Sequence, residues 1–210
     1  MNVKLKICGL TNAADVQAAI DAGADYLGFI LYPMSPRFIS PAKARELIKK
    51  VPRKIKTVGV FVNSPPNQIV ELMEFCGFNI AQLHGDESAA DALEIGRERV
   101  WKAMALNTAK DIEQAAAFPA AAILADSIGT VHRGGTGKKC DWQQAAEAAK
   151  QLKLILAGGI NPENVAEAAK AVKPFAVDVC SGVEASKGIK DHQKILELAA
   201  KLKSIKNKDN

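Results

Sequence analysis

The 210-residue sequence has few cysteines, few aromatic residues and no long hydrophobic run, and each shortage excludes a class of protein. It contains no CxxC pair, which argues against a zinc ribbon and against a disulfide framework. No run of about 18 apolar residues occurs, so we expect no membrane-spanning helix. The N-terminus carries lysines where a signal peptide would be apolar, and we therefore expect a cytoplasmic protein with reduced thiols. The four cysteines are Cys8, Cys76, Cys140 and Cys180.

Basic residues are not concentrated in the body of the chain. The formal net charge is +5, and residues 201–210 hold four lysines against one aspartate. A nucleic-acid binder would usually gather basic residues on one face and interleave aromatic ones, yet only 5% of this chain is aromatic. We therefore expect no nucleic-acid partner, and we interpret the basic tail as the solvated end of a last helix.

Short apolar runs alternate with longer amphipathic stretches along the whole chain, which predicts strands that alternate with helices. Eight such units favour parallel pairing in a single (β/α)8 TIM barrel domain over residues 1–210. The alternative is an open doubly wound sheet, which would often carry GxGxxG after its first strand, whereas the turn here is Cys8-Gly-Leu-Thr-Asn12. The predicted strands are Lys4–Cys8, Tyr26–Leu31, Thr57–Val62, Ile80–His84, Val100–Leu106, Ala122–Asp126, Leu154–Ala157 and Ala176–Cys180.

Three dipeptides predict helix starts, because each places a side-chain acceptor before a proline suited to the first helical turn. They are Ser40–Pro41, Ser64–Pro65 and Asn161–Pro162.

The active site of a barrel lies at the carboxyl ends of its strands, so the residues at those ends are the candidates for chemistry. Cys8 ends the first predicted strand and is either a nucleophile or base, or an inert buried thiol. Asp126 ends the sixth and is either a cap or an acid whose pKa is raised by its surroundings. Strands one and six lie on opposing sides of the ring, and two proton-handling groups placed so would suit an isomerisation.

Glycines follow the last two predicted strands. Gly158 and Gly159 precede a helix, and Ser181 and Gly182 follow strand eight. Loops after strands seven and eight form the phosphate site of many barrels, because exposed amides and a helix N-terminus attract the anion. The alternative is that the glycines only shape a turn.

A second glycine-rich stretch, Gly134–Lys138, does not fit a P-loop, because His132 and Lys139 stand where that motif needs glycine and serine or threonine. We expect a loop after strand six that closes over a ligand. Arg37 follows a loop stiffened by two prolines and offers a planar fork for a carboxylate, although it could equally be a solvated charge. His84 either orients a ligand or caps the next helix.

Together the motifs resemble one family, phosphoribosylanthranilate isomerase. They occur in order over nearly the whole chain: Lys6–Asn12, Gly28–Arg37, Val58–Asn63, Gln82–Asp86, Asp126–Ser127, Gly134–Lys138 with Asp141–Trp142, Leu156–Gly159 with Asn161–Asn164, and Asp178–Glu184 with Gly188–Asp191.

The resemblance implies a barrel of the ribulose-phosphate-binding type. It also implies an Amadori rearrangement of N-(5-phosphoribosyl)anthranilate to 1-(2-carboxyphenylamino)-1-deoxyribulose 5-phosphate, a step in tryptophan biosynthesis. Asp126 is the implied general acid and Cys8 the implied general base, with no cofactor and no metal. The implied substrate-binding residues are Arg37 for the carboxylate and Gly158, Gly159, Ser181 and Gly182 for the phosphate. We also expect His84 and Asp178 to bind the substrate.

The chain departs from the family pattern at Met34, Cys140 and Cys180, where relatives more often have a polar, an aromatic and a serine residue. Two other functions stay open: another phosphosugar isomerase, such as the one of histidine biosynthesis with paired aspartates, and a non-catalytic sensor of phosphate ligands. The partner we expect is the small phosphosugar substrate, with the chain a monomer or a homodimer.

Strand alternation gives one further expectation. Lys6 lies two residues before Cys8 and therefore points the same way, and strand eight neighbours strand one once the barrel closes. We hypothesise that Lys6 and Asp178 form a buried pair beneath the thiol, because a buried lysine without a partner is costly. Its charge would favour the thiolate of Cys8. The alternative is that Lys6 faces outward or pairs with another residue.

Overall fold

The computed structural model describes residues 3–126 and 141–206, the last of them by its backbone only. Its main feature is a closed barrel of parallel strands in chain order, in which the eighth strand pairs with the first. The TIM barrel predicted from the sequence is therefore confirmed, whereas the assignment of residues 1–210 to one domain stays a prediction. The strands are β1 (Lys4–Ile7), β2 (Tyr26–Ile30), β3 (Lys56–Phe61), β4 (Ile80–Leu83), β5 (Val100–Met104), β6 (Ala122–Ala125), β7 (Leu154–Leu156) and β8 (Ala176–Val179).

The described helices alternate with these strands. They are α1 (Ala13–Asp21), α2 (Pro41–Ile48), α3 (Pro66–Cys76), α4 (Ala89–Ile95), α5 (Ala109–Ala117), α6 (Trp142–Ala149), α7 (Val165–Val172) and α8 (His192–Lys206). After β8, one 3₁₀ turn over Ser181–Val183 leads into an antiparallel hairpin of β9 (Glu184–Ser186) and β10 (Ile189–Lys190). Another 3₁₀ turn, Arg97–Arg99, precedes β5. No helix in the described part of the chain is long and apolar enough to span a membrane.

Two of the three predicted helix starts are displaced. Ser40 caps α2 as predicted, accepting a hydrogen bond from the backbone of Lys43 at 3.4 Å. Helix α3 begins at Pro66, and Pro65, which has no side-chain acceptor, occupies the capping position. Helix α7 begins only at Val165, because a turn over residues 162–164 intervenes.

Apolar side chains separate into two layers because successive residues of a strand face opposite sides. The larger layer fills the space between the strands and the helices. The smaller one fills the barrel, as the rings of Tyr26 and Trp101 show, since their centroids lie 4.8 Å apart although β2 and β5 are not neighbours. This inner layer closes the barrel below the mouth, so the ends of the strands are left to carry the chemistry.

Every barrel strand ends one or two residues earlier than the sequence predicted. The difference has a physical cause. The residue after β1 and the residue after β6 each still donate a backbone hydrogen bond to the neighbouring strand, at 2.9 and 3.3 Å. These residues therefore keep the alternation of their strands while belonging to the rim.

Candidate active site

The rim at the carboxyl ends of the strands carries the three side chains with proton chemistry. Cys8 follows β1, His84 follows β4 and Asp126 follows β6. Each lies two positions after a residue on the inner face of its strand, so all three point into the mouth of the barrel. Cys8 and Asp126 are 5% and 8% exposed, which leaves them shielded from bulk water but open toward the mouth.

Directly below Cys8, β1 and β8 place a lysine opposite an aspartate. Lys6 and Asp178 are register partners, and Nζ of Lys6 lies 2.9 Å from Oδ1 of Asp178. Burial lowers the pKa of Lys6, but Asp178 and Cys8 outweigh it and raise that pKa above its usual value. Burial raises the pKa of Asp178 to about 7, against the opposing effect of Lys6. The pair hypothesised from strand alternation is confirmed, and Lys6 stays cationic beneath the thiol.

The surroundings of Cys8 favour its thiolate. A hydrogen bond with the thiol of Cys180 is the largest cause, and with Lys6 and Lys190 it lowers the pKa of Cys8 well below that of an ordinary thiol, although burial opposes the shift. The same hydrogen bond and burial raise the pKa of Cys180. Cys8 is therefore the ionised sulfur of the two, and Cys180 is the donor.

His84 faces Asp126 across the mouth. Nε2 of His84 lies 3.3 Å from Oδ2 of Asp126, a contact that is close but not aligned as a hydrogen bond. On the other side of the ring, Nδ1 lies 3.0 Å from Nε2 of Gln82. If the amide donates there, Nδ1 must accept, and the imidazole proton sits on Nε2 toward Asp126.

The structure excludes a capping role for the side chain of His84. Helix α4 is capped by Ser88, whose hydroxyl accepts from the backbone of Asp91 at 3.2 Å within a reciprocal capping box. The imidazole faces Asp126 instead, and its role in orienting a ligand stays a prediction.

Arg37 is held on one edge by a carboxylate that the sequence analysis did not identify. Its Nε and Nη2 donate to the two oxygens of Glu184 at 2.7 and 2.8 Å. Nζ of Lys190 donates to the same carboxylate at 3.0 Å and to the carbonyl of Cys180 at 2.9 Å. Among the described residues, Nη1 makes no hydrogen bond, so this edge of the guanidinium is the one that can meet a ligand.

The predicted phosphate loops lie against each other. Gly158 and Gly159 have φ angles of 78° and 70°, a conformation that glycine adopts at little cost. A Cβ on Gly182 would collide with the backbone carbonyl of Ile160. Glycine at this position therefore lets the turn after β8 touch the loop after β7.

Two asparagines hold the loop after β7 in shape before any ligand arrives. The side chain of Asn164 accepts from the backbone of Asn161 at 2.9 Å, and that of Asn161 accepts from the backbone of Asn164 at 3.0 Å. The amide of Asn164 also donates to the carbonyl of Gly159 at 2.9 Å. The loop therefore needs little ordering to present its amides.

Three residues of the site were not found from the sequence: Gln82, Glu184 and Lys190. All three lie inside motifs that the resemblance covers, but nothing in the sequence pairs Glu184 with Arg37, which is 147 residues away. The predicted closing loop, Gly134–Lys138, lies outside the described residues. Within the described ranges, no group of three or more histidine, cysteine or acidic side chains is placed to hold a metal ion.

The mouth of this TIM barrel holds a thiolate, a carboxyl and an imidazole. These groups define a barrel enzyme that catalyses proton transfer. Comparison with known proteins specifies which one. The family model of N-(5'-phosphoribosyl)anthranilate (PRA) isomerase matches residues 5–201. The chain belongs to this family, and it is an isomerase of tryptophan biosynthesis.

Individual relatives agree along their whole length. An N-(5'-phosphoribosyl)anthranilate isomerase of Citrifermentans bemidjiense is 42% identical over 202 residues, covering 96% of this chain and 98% of the relative. The crystal structure of the enzyme from Thermotoga maritima has a TM-score of 0.89 at 38% identity and covers 97% of this chain and 100% of its own. A solved phosphoribosyl anthranilate isomerase in complex with reduced 1-(o-carboxyphenylamino)-1-deoxyribulose 5-phosphate has a TM-score of 0.86 at 37% identity, with the same coverage.

Proposed function

We propose that Cys8 and Asp126 carry out the isomerisation of N-(5-phosphoribosyl)anthranilate as general base and general acid. The observation that carries this proposal is that a thiolate and a carboxyl share the inner face of one barrel mouth, following β1 and β6. The relative with bound reduced product analogue supports the choice of substrate.

In the first step, Asp126 donates its proton to the ring oxygen of the ribose. The bond between that oxygen and C1′ breaks, and the nitrogen lone pair forms an iminium with C1′. His84 faces the carboxyl at 3.3 Å, so an Nε2–H directed at Asp126 stabilises the carboxylate that remains.

In the second step, the thiolate of Cys8 removes the proton from C2′. The electron pair of that C–H bond moves toward C1′ and neutralises the iminium nitrogen, which gives an enolamine that tautomerises to the ketone. The substrate's own nitrogen is therefore the electron sink. Lys6, buried beneath the sulfur, and the thiol of Cys180 keep Cys8 ionised for this step.

The remaining groups bind the two anionic ends of the substrate. The Nη1 edge of Arg37 meets the anthranilate carboxylate, because Glu184 fixes the plane of the guanidinium. Backbone amides around Gly158, Gly159, Ser181 and Gly182 bind the phosphate. The loop after β7 is already held in shape, so little conformational entropy is lost when the phosphate binds. Asp178 acts on the site indirectly, because it pairs with Lys6 beneath the thiol of Cys8.

The decisive experiment is a fluorescence assay with purified protein and freshly prepared N-(5-phosphoribosyl)anthranilate. We expect loss of the fluorescence of the anthranilate adduct at a rate proportional to enzyme concentration, and competitive inhibition by the reduced product analogue. Binding of the analogue without turnover would support a phosphate sensor instead. Turnover of a histidine-pathway phosphosugar in preference to this substrate would support the other isomerase.

We also propose that the chain acts in the cytoplasm as a monomer or a homodimer. The cysteine content and the absence of a membrane-spanning helix among the described residues support the location. One solved structure shows monomers generated from the dimeric phosphoribosylanthranilate isomerase of Thermotoga maritima. Both states are therefore compatible with the family fold. Sedimentation velocity at several concentrations decides between them.

A further inference from the structure

Two cysteines stand side by side at the junction of β1 and β8. The register of these strands pairs Ile7 with Val179, and the backbone N–H of Cys8 continues the ladder by donating to the carbonyl of Val179 at 2.9 Å. The next positions along both strands are Cys8 and Cys180. Cys8 lies two residues after Lys6, and Cys180 lies two residues after Asp178. Because Lys6 and Asp178 meet inside the barrel, the two thiols also point to the same side.

The space around the two sulfurs is kept open by glycines. A Cβ on Gly28 would lie 2.7 Å from Sγ of Cys8, and a Cβ on Gly9 would lie 2.9 Å from Sγ of Cys180. Neighbouring strands run about 4.8 Å apart, and a disulfide needs a Cα separation of about 4.4–6.8 Å. The two residues can therefore be bridged without rearranging the barrel.

We propose that Cys8 and Cys180 form a reversible disulfide when the protein meets a peroxide, and that this modification switches the enzyme off. The formation of the bond is independent of the role proposed for Cys8. The loss of turnover rests on that role, because a sulfur held in a disulfide cannot accept the C2′ proton.

The chemistry balances with hydrogen peroxide as oxidant. The thiolate of Cys8 attacks one peroxide oxygen, the O–O bond breaks, and hydroxide leaves, which gives a sulfenic acid at Cys8. The thiol of Cys180 passes its proton to hydroxide and attacks the sulfenic sulfur. A second hydroxide leaves and is protonated, so two thiols are oxidised by two electrons and one peroxide becomes two waters.

The surroundings assign different roles to the two sulfurs. Lys6 and Lys190 both favour the thiolate of Cys8, and Nζ of Lys190 also lies 3.9 Å from Sγ of Cys180. Cys180 retains its proton and is more exposed than Cys8. Cys8 is thus the attacking sulfur, and Cys180, already in contact with it, is the resolving one.

Cys76 provides a matched control within the same chain. It is buried at the end of α3, its thiol donates to the carbonyl of Pro41 at 3.5 Å, and burial raises its pKa to about 11. Burial outweighs the opposing charge of Arg45, so the thiol of Cys76 keeps its proton, and we expect it to resist peroxide.

The test compares the wild type with Cys180→Ser, Cys180→Ala, Cys76→Ala and Cys140→Ser. Each protein is treated with hydrogen peroxide, freed of excess peroxide and divided. One part is blocked with iodoacetamide for intact mass and peptide mapping, and the other is left unblocked and assayed for activity before and after dithiothreitol. Activity is normalised to that of the same untreated variant.

For the wild type, Cys76→Ala and Cys140→Ser, we expect two fewer alkylated thiols than in the untreated protein, a Cys8–Cys180 linked peptide, and loss of turnover that dithiothreitol restores. Without Cys180 to resolve the sulfenic acid, a second peroxide should oxidise Cys8 to the sulfinic acid, a gain of two oxygen atoms that dithiothreitol does not reverse. A wild type that gains oxygen at Cys8 without a linked peptide, or a bridge from Cys8 to Cys140, would overturn the proposal. A linked peptide with unchanged turnover would leave the disulfide standing and refute the role of Cys8 as base.

Discussion

Lys6 and Asp178 meet directly beneath the thiol of Cys8, with Nζ of the lysine 2.9 Å from Oδ1 of the aspartate. The lysine is completely buried, so its charge is not screened by solvent and acts on the sulfur above it. This arrangement ties the reactivity of the site to the closure of the barrel, because the two residues come from its first and last strands.

Removal of that charge should raise the pKa of Cys8. In Lys6→Met the thiolate loses its nearest cation while the volume of the side chain is nearly kept. We expect the thiolate absorbance of Cys8 to titrate at higher pH, and the acid limb of turnover to move the same way, because the base works only when deprotonated. The exposed Lys43→Met serves as control. An unchanged Cys8 titration in Lys6→Met would show that the pair does not tune the thiol.

The same pair should be costly to break. Asp178→Asn leaves the buried Lys6 without its aspartate partner, and we expect the free energy of unfolding in urea to fall by about 3–5 kcal/mol. The exposed pair of Lys43 and Glu46 offers the comparison, and Glu46→Gln should change stability much less, because solvent screens both charges. Equal losses in the two variants would mean that burial does not make the Lys6 pair special.

The proposed acid and base should each be indispensable. Cys8→Ala and Asp126→Ala remove the two proton-transfer groups, and we expect kcat to fall by about 100- to 10,000-fold in each. Circular dichroism and phosphate binding should remain near those of the wild type, because neither side chain builds the inner layer or the glycine loops. Near-normal turnover in either variant would refute the role assigned to that residue.

Gln82 should control the tautomer of His84. Gln82→Glu replaces the amide that faces Nδ1 at 3.0 Å with a carboxylate, which can only accept and therefore draws a proton onto Nδ1. We expect the imidazole proton to move to Nδ1 and the pH profile of kcat to change, while KM changes little. Nitrogen NMR of the imidazole reports the proton directly, and Gln82→Met separates loss of the contact from added charge. An unaltered imidazole spectrum in Gln82→Glu would exclude this positioning role.

Gly182 should govern phosphate binding rather than chemistry. In Gly182→Ala the new Cβ meets the backbone carbonyl of Ile160, so the loops after β7 and β8 must separate. We expect KM and the dissociation constant of inorganic phosphate to rise more than kcat falls. Gly77→Ala is the matched control, because its φ of 85° makes alanine strained at the end of α3, away from the mouth. It should lower stability but leave KM unchanged, and equal effects on KM would remove the argument.

Several features of the site follow from short-range sequence pattern alone. Alternation along β1 places Lys6 and Cys8 on one face, and the Gly158–Gly159 pair marks a turn that needs positive φ. The predicted starts of α3 and α7 were wrong by one and three residues, because local turn geometry competes with the proline signal.

The amino-acid sequence by itself determined the order of eight strand–helix units, the rim positions of Cys8 and Asp126, and the pairing of Lys6 with Asp178. These depend on periodicity and on one assumption, that the barrel closes. Only the tertiary structure decided that Glu184, which also contacts Lys190, holds Arg37, that Gln82 lies against His84, and that Cys180 touches Cys8. Such contacts join residues from distant parts of the chain through side-chain geometry, which no local pattern encodes.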